Sequence, residues 1–123
     1  MKRNDDFEGA LAVRTELVRS SGTGGYRAAC DLLYETGLIR RVDWPRGEDG
    51  TRFADPAVLL AASRSWSSGE NAIAQFASGL LGYTTSAEFG PLDFAATLEG
   101  FPTQHRETLL RVLRAMWGTK LVM

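Results

Sequence analysis

A glycine-rich segment has the residue types that nucleotide binding requires, but only part of the spacing. Residues 20–25 read SSGTGG, directly before a predicted helix, and Asp43 follows where a ribose-binding acid belongs. The position of the third glycine of a dinucleotide turn holds Arg27, which is too large for close packing of a helix on a strand. The residues before the loop are also too charged for a central parallel strand. The segment therefore predicts a loop before a helix, with no nucleotide cofactor.

The other reactive side chains lack the neighbours that catalysis needs. His105 is the single histidine, and a helical metal pair would need a second one four residues away. Cys30 lies on an apolar helical stripe, which is typical of a buried structural thiol. Ser67 lacks the flanking glycines of a nucleophile elbow, and with Glu70 it matches a helix capping box instead. We expect no enzyme active site, no metal and no cofactor.

Arginines are the remaining polar candidates for contacts. The residues predicted to contact DNA or a protein partner are Arg27, Arg40, Arg41, Arg46 and Arg52. The acids Asp43, Glu48 and Asp49 nearly cancel the charge of this stretch, and a DNA-binding surface normally concentrates positive charge. Protein contact is therefore favoured over DNA, and DNA binding stays open as the alternative.

The elements that would position these arginines are two helices and a turn-rich segment. Helices are predicted over 7–19 and 25–36, with Gly37 ending the second. Residues 38–54 predict a β-hairpin, with a turn at Asp49-Gly50. Two helices followed by a hairpin is the order of a winged-helix DNA-binding domain.

Helix caps organise the second half of the chain. Asp55-Pro56 predicts a helix start, and the Ser67–Glu70 box starts a helix that stops at Gly82. A short helix over 92–98 and a last helix from 103 to Gly118 follow. The predicted fold is mainly α with one β-hairpin (α+β): a compact single domain over 1–123 of five or six short helices, with frayed ends at 1–6 and 119–123. Its N-terminal half would be winged-helix-like if the alternative function held.

Composition predicts a soluble protein of the cytoplasm. Apolar residues are 44% and charged residues 24% of the chain, with a net charge of −1. A single cysteine fits a reducing compartment, and no apolar run is long enough to cross a membrane. The apolar side chains Trp117, Leu121 and Val122 near the C-terminus predict a patch for a partner.

A resemblance covers the second half. ADPAVLLAASRSWSSGENAIAQFASGLLG and LLRVLRAM resemble the capped Ala/Leu helices of small uncharacterised actinobacterial proteins, some of them borne by phages or plasmids. The resemblance implies a shared fold and no activity. Together these observations predict a small, non-enzymatic, intracellular regulatory protein that binds another protein. It could be a phage or mobile-element accessory protein acting on a host protein, and a homodimer stays open. The alternative is a winged-helix transcription regulator.

Overall fold

The computed structural model describes residues 2–20, 24–83 and 93–121, with side chains described for 9–20, 24–83, 93 and 95–116. Six α-helices lie in these residues: α1 (Lys2–Val18), α2 (Gly24–Glu35), α3 (Pro56–Ser63), α4 (Ser68–Leu80), α5 (Phe94–Glu99) and α6 (Arg106–Leu121). Short 3₁₀ turns span Leu38–Arg41 and Thr103–His105. The mainly helical character predicted from the sequence is confirmed.

Helix α2 lies at the centre of the packing. It contacts α1, α4, α6 and the Leu38–Arg41 turn, while α3 and α5 pack against α4. Leu32 and Leu33 of α2 are fully buried, together with Leu17 of α1 and Ile73 of α4. Burial of each such side chain contributes roughly 1.5–3 kcal/mol relative to exposure, so the α2 stripe organises the core.

Local signals set several helix ends as the sequence predicts. Asp55 accepts hydrogen bonds from the amides of Ala57 (2.8 Å) and Val58 (3.3 Å), and Pro56 takes the first helical position. Ser67 and Glu70 form the predicted capping box of α4. Gly37 follows α2 with a φ of 81°, a left-handed conformation that glycine adopts without strain. The predicted stop at Gly118 is wrong, because α6 continues to Leu121.

The predicted β-hairpin over 38–54 is wrong. Residues 38–41 form the 3₁₀ turn instead, which buries Leu38 and Ile39. The described residues contain no strand, and the segment has only an isolated bridge between Arg46 and Arg52. A winged-helix-like N-terminal half is therefore also wrong, since its wing is missing.

The pairing stops on either side of that bridge, where the Phe53 amide donates to the Pro45 carbonyl (3.0 Å) and the Gly47 amide donates to the Thr51 carbonyl (2.9 Å). Pro45 has no amide hydrogen to donate. The amide of Arg52 donates to the Glu16 carboxylate (2.6 Å), and the amide of Ala54 donates to the Tyr26 hydroxyl (2.8 Å). These two amides face away from the opposite strand and attach the segment to α1 and α2. The Thr51 amide, which could return a bond to Gly47, donates to Asp49 Oδ1 at 2.9 Å instead.

Candidate functional site

Glu16 of α1 holds the irregular segment 42–55 against the helix. Its carboxylate accepts the Arg52 amide, the Arg52 Nε (2.8 Å) and an ion pair from Arg52 Nη2 (2.8 Å). Arg46 Nη1 lies 3.5 Å from the same carboxylate and donates to the carbonyl of Gly50 at 2.7 Å. The hydrogen bonds from the Arg52 side chain and amide lower the pKa of Glu16 from its ordinary value of 4.5. This carboxylate holds Arg52 against α1, whereas the Arg46 side chain is 61% exposed and contacts it only at 3.5 Å.

The Tyr26 hydroxyl is a second anchor of this segment. It donates to the carbonyl of Leu17 at 2.7 Å while accepting the Ala54 amide. Burial raises the pKa of Tyr26, so the hydroxyl stays protonated and able to donate. Trp44 is buried in the core and donates its indole N–H to the carbonyl of Ile39 at 2.9 Å. These contacts give the segment a defined path over α1.

That path creates an arginine-lined groove of about 570 Å³, the basic groove. The 3₁₀ turn contributes Arg40 and Arg41, and the segment contributes Arg52. The other lining residues are Gly9, Ala12, Val13, Ile39, Val42 and Asp43. The lining residues thus comprise three arginines, one aspartate and five glycine or apolar residues.

A second groove, of about 620 Å³, adjoins the first along α1 and shares Ala12 with it. It is lined by Leu11, Ala12, Thr15, Glu16, Arg19, Asp49, Gly50 and Thr51. Leu11 is 43% exposed, one of three exposed large apolar side chains among the described residues. We call this the Leu11 groove. The two grooves form one continuous face that has both charged and apolar parts.

The structure brings together only some of the predicted contact residues. Arg40, Arg41 and Arg52 meet at the basic groove, whereas Arg46 lies outside its lining and Arg27 is exposed on α2. The predicted apolar patch of Trp117, Leu121 and Val122 lies outside the residues whose side chains are described.

Arg41 also contacts α4 and the α3–α4 connection. Its Nη1 lies 2.7 Å from Glu70 Oε2, and its guanidinium carbon is 4.7 Å from the centre of the Trp66 ring. The hydrogen bond from the Ser67 amide lowers the pKa of Glu70 from its ordinary value of 4.5, and the Arg41 guanidinium lowers it by a smaller amount. Both members of the ion pair are partly exposed, so Arg41 is held in place without being removed from solvent.

The reactive side chains take the structural positions that the sequence favours. Cys30 is fully buried, and burial raises the pKa of its thiol to about 12. Ser67 is engaged in the capping box, and His105 ends the second 3₁₀ turn. In the described part of the chain, no three His, Cys, Asp or Glu side chains are grouped so that they could hold a metal ion.

Close packing between two helices explains why one residue of the glycine-rich segment 20–25, Gly25, is glycine. A Cβ on Gly25 would lie 2.7 Å from the backbone oxygen of Leu80, so α2 and the end of α4 approach closely only because this residue is glycine. Residues 21–23 lie outside the described residues. The close approach of Gly25 is to another helix, a structural role that the nucleotide-like pattern does not suggest.

A partly buried polar network joins α3, α4 and α5, and no sequence motif indicates it. Asn71 Nδ2 donates to the carbonyl (3.0 Å) and the hydroxyl (3.2 Å) of Ser63, and Gln75 Nε2 donates to Asn71 Oδ1. The Thr97 hydroxyl lies 3.4 Å from Gln75 Oε1. The i, i+4 spacing of Asn71 and Gln75 is the only sequence signal. Since the members satisfy one another, the network is suited to fixing helix register.

Comparison of the chain with protein-family models, with curated proteins and with solved structures finds no match. The resemblance to small actinobacterial proteins therefore stays a prediction. None of the helices in the described ranges is long and apolar enough to cross a membrane.

Proposed function

We propose that this chain is a non-enzymatic regulatory protein that binds a protein partner through the face formed by α1 and residues 39–52. The observation that carries the proposal is the pair of adjoining grooves on that face. A protein interface combines an apolar centre with a polar rim, and this face offers exposed Leu11 and Ala12 beside arginines. Arginine is also among the residues that are enriched in interfaces.

The alternative of DNA binding has less support. Glu16 binds both Arg46 and Arg52, and Glu70 binds Arg41. Phosphate contacts supply most of the affinity of DNA-binding proteins, so arginines that already face carboxylates contribute less to it. The acids at 43, 48 and 49 are exposed on the same segment.

The biological setting is part of the same proposal. The single buried thiol, Cys30, supports a reducing cytoplasm. That the partner is a host protein, bound by a product of a phage or other mobile element, rests on the sequence resemblance alone.

Affinity purification with mass spectrometry tests the proposed face through two matched variants. Ala12 and Ala61 are both exposed helical alanines, but Ala12 lines both grooves while Ala61 of α3 lines neither. Arginine has a high helix propensity, so both Ala12→Arg and Ala61→Arg should fold. We expect one stoichiometric protein partner to be recovered with the wild type and with Ala61→Arg. Recovery should fall about tenfold with Ala12→Arg, because the new side chain obstructs the groove.

Two results would contradict this function. Equal recovery of the partner with both variants would place the binding surface elsewhere. Recovery of duplex DNA without a protein, with retention that falls steeply as salt rises, would favour the regulator of transcription instead.

A further inference from the structure

We propose that residues 45–53, the strap, open as a unit while the helices stay folded, and that the binding face is complete only when the strap is closed on α1. This inference rests on the proposed function and adds how that face is controlled. Strap residues 49–51 line the Leu11 groove, and Arg52 lines the basic groove. Opening of the strap therefore removes lining residues from both grooves at once.

Burial defines the two ends of the strap. Trp44 and Ala54, which flank it, are 3% and 6% exposed, and each is held by a hydrogen bond, to Ile39 and to Tyr26 respectively. No strap residue is buried, and none belongs to the side chains that pack against the buried core. A segment with fixed ends and no share in the core is the kind that opens locally at a low cost in free energy.

Glu16 holds the strap closed. Its carboxylate accepts hydrogen bonds from the amide and the guanidinium of Arg52, and it lies 3.5 Å from Arg46 Nη1. Ser20 Oγ adds a hydrogen bond to the Arg52 carbonyl at 3.2 Å. The hydrogen bonds and ion pairs that the structure shows between the strap and the helices all involve these two arginines. Loss of the Glu16 contacts therefore releases most of the strap's polar attachment to α1.

The backbone hydrogen bonds within the strap are too few to keep it ordered once it leaves α1. The Phe53 amide donates to the Pro45 carbonyl, and the Gly47 amide donates to the Thr51 carbonyl. Even a complete two-stranded hairpin is only marginally stable in water unless it packs against other elements. We therefore expect these two amides to become accessible when the strap opens, although neither of them contacts α1.

Native-state hydrogen exchange tests the opening on the full chain without a partner. The amides of Gly47, Arg52 and Phe53 should exchange with one common free energy of opening. That free energy should hardly change in low urea, because local opening exposes little surface. The amides of Leu33 and Ile73, in the buried helices, should exchange through unfolding and respond steeply to urea. An equally steep response of the strap amides would overturn independent opening.

Two matched variants test the role of Glu16. Glu16 and Asp31 each bind the Nε and Nη2 atoms of one arginine, which is Arg52 for Glu16 and Arg14 for Asp31. The Asp31 pair joins α2 to α1 and does not include the strap. Replacement of either carboxylate by alanine is compatible with its helix, because alanine has the highest helix propensity. Circular dichroism checks that both variants fold.

The Phe53 amide distinguishes the two variants. Its exchange should accelerate about tenfold in Glu16→Ala, since the charge-assisted hydrogen bonds that favour the closed strap are lost. In Asp31→Ala it should stay at the wild-type rate, because the Asp31 pair is present whether the strap is closed or open. Unchanged exchange at Phe53 in Glu16→Ala, or equal acceleration in both variants, would overturn the role of Glu16.

The natural partner distinguishes failure of this inference from failure of the function. A partner that binds only the closed strap, at about 100 times its Kd, should slow exchange of the strap amides about 100-fold. If the strap amides exchanged as fast in the complex as in the free chain, control by the strap would be refuted, and loss of the partner in Ala12→Arg would still support the function. A partner that ignores Ala12→Arg would refute both.

Discussion

Removing one hydroxyl group tests whether the segment that forms the grooves is held as the structure describes. In Tyr26→Phe the ring remains, but the Ala54 amide loses its acceptor and the Leu17 carbonyl loses a donor. The Leu17 carbonyl keeps a hydrogen bond from the Ser20 amide at 3.1 Å, so it remains satisfied. Ala54 is 6% exposed, so its amide lies largely out of contact with solvent. The cost is therefore close to that of one buried unsatisfied amide, about 2 kcal/mol.

This free energy corresponds to a measurable shift in melting temperature. An unfolding entropy of about 2.1 cal/mol/K per residue gives about 0.26 kcal/mol/K for 123 residues. A loss of about 2 kcal/mol therefore lowers Tm by about 8 °C. Thermal unfolding followed by circular dichroism measures the shift. Hydrogen exchange should also show faster exchange of the Ala54 amide than in the wild type.

The control is Thr15→Ala, which removes an exposed hydroxyl from α1 and should change stability by less than about 0.5 kcal/mol. If Tyr26→Phe melted within about 2 °C of this control, the bridging hydroxyl would not be holding the segment. Unchanged exchange at Ala54 would lead to the same conclusion.

Three further perturbations test other parts of the structure. Gly25→Ala should lower the free energy of unfolding, measured in urea, by about 1–3 kcal/mol, because its Cβ would meet a backbone oxygen at the end of α4. In the matched variant Gly24→Ala the new Cβ meets only a flexible side chain, at 3.4 Å, so the free energy of unfolding should hardly change. Equal effects of the two changes would refute close packing at Gly25. Because Arg52 lowers the folded-state pKa of Glu16, the stabilisation is complete above the ordinary value of 4.5 and is lost as pH falls through the lower folded value. The urea midpoint of the wild type should thus drop more steeply than that of Glu16→Gln between about pH 5 and about pH 3, and parallel profiles would contradict the ion pair. Cys30, with its pKa raised to about 12, should resist a thiol-reactive dye in the folded protein near pH 8 and react once urea unfolds the chain; fast labelling of the folded protein would show that the thiol is accessible.

The sequence predicts the features whose causes are local. The Asp55-Pro56 start, the Ser67–Glu70 capping box and the left-handed Gly37 each depend on residues within a few positions of one another. The apolar stripe of α2 is equally local, and the structure buries its Cys30 and Leu33 as the helical spacing predicts. Such signals require no knowledge of distant contacts, which is why they are correct.

The hairpin prediction fails for the opposite reason. Asp49-Gly50 does form a turn, and Gly50 has a φ of 81°. The pairing beside this turn is limited to two backbone hydrogen bonds, Gly47 to Thr51 and Phe53 to Pro45, and the outward-facing amides fix the segment to the helices. The Arg52 amide donates to Glu16, which is 36 residues away, and the Ala54 amide donates to Tyr26, which is 28 residues away. Propensity within the segment cannot reveal partners at that separation.

The candidate site is predictable only in part for the same reason. Arginine content marks Arg40, Arg41 and Arg52, and the structure brings these three to one groove. Glu16 carries no motif, and its importance arises from the contacts it makes rather than from its position on α1. Its one signal is that it lies beside Leu17 at the edge of the buried stripe, where a charged side chain can reach a segment packed over the helix.

Glu16 also changes what the arginine content of the chain means. A count of charges treats the five predicted arginines as equivalent sources of positive potential, but Glu16 already binds Arg46 and Arg52, while Arg27 lies on another surface. Arg41 likewise faces the Glu70 carboxylate at 2.7 Å. An extended polyanion, whose affinity needs many phosphate contacts, gains less from arginines that already face carboxylates. The internal ion pairs that fix the segment thus also reduce the positive charge that it would present to a nucleic acid.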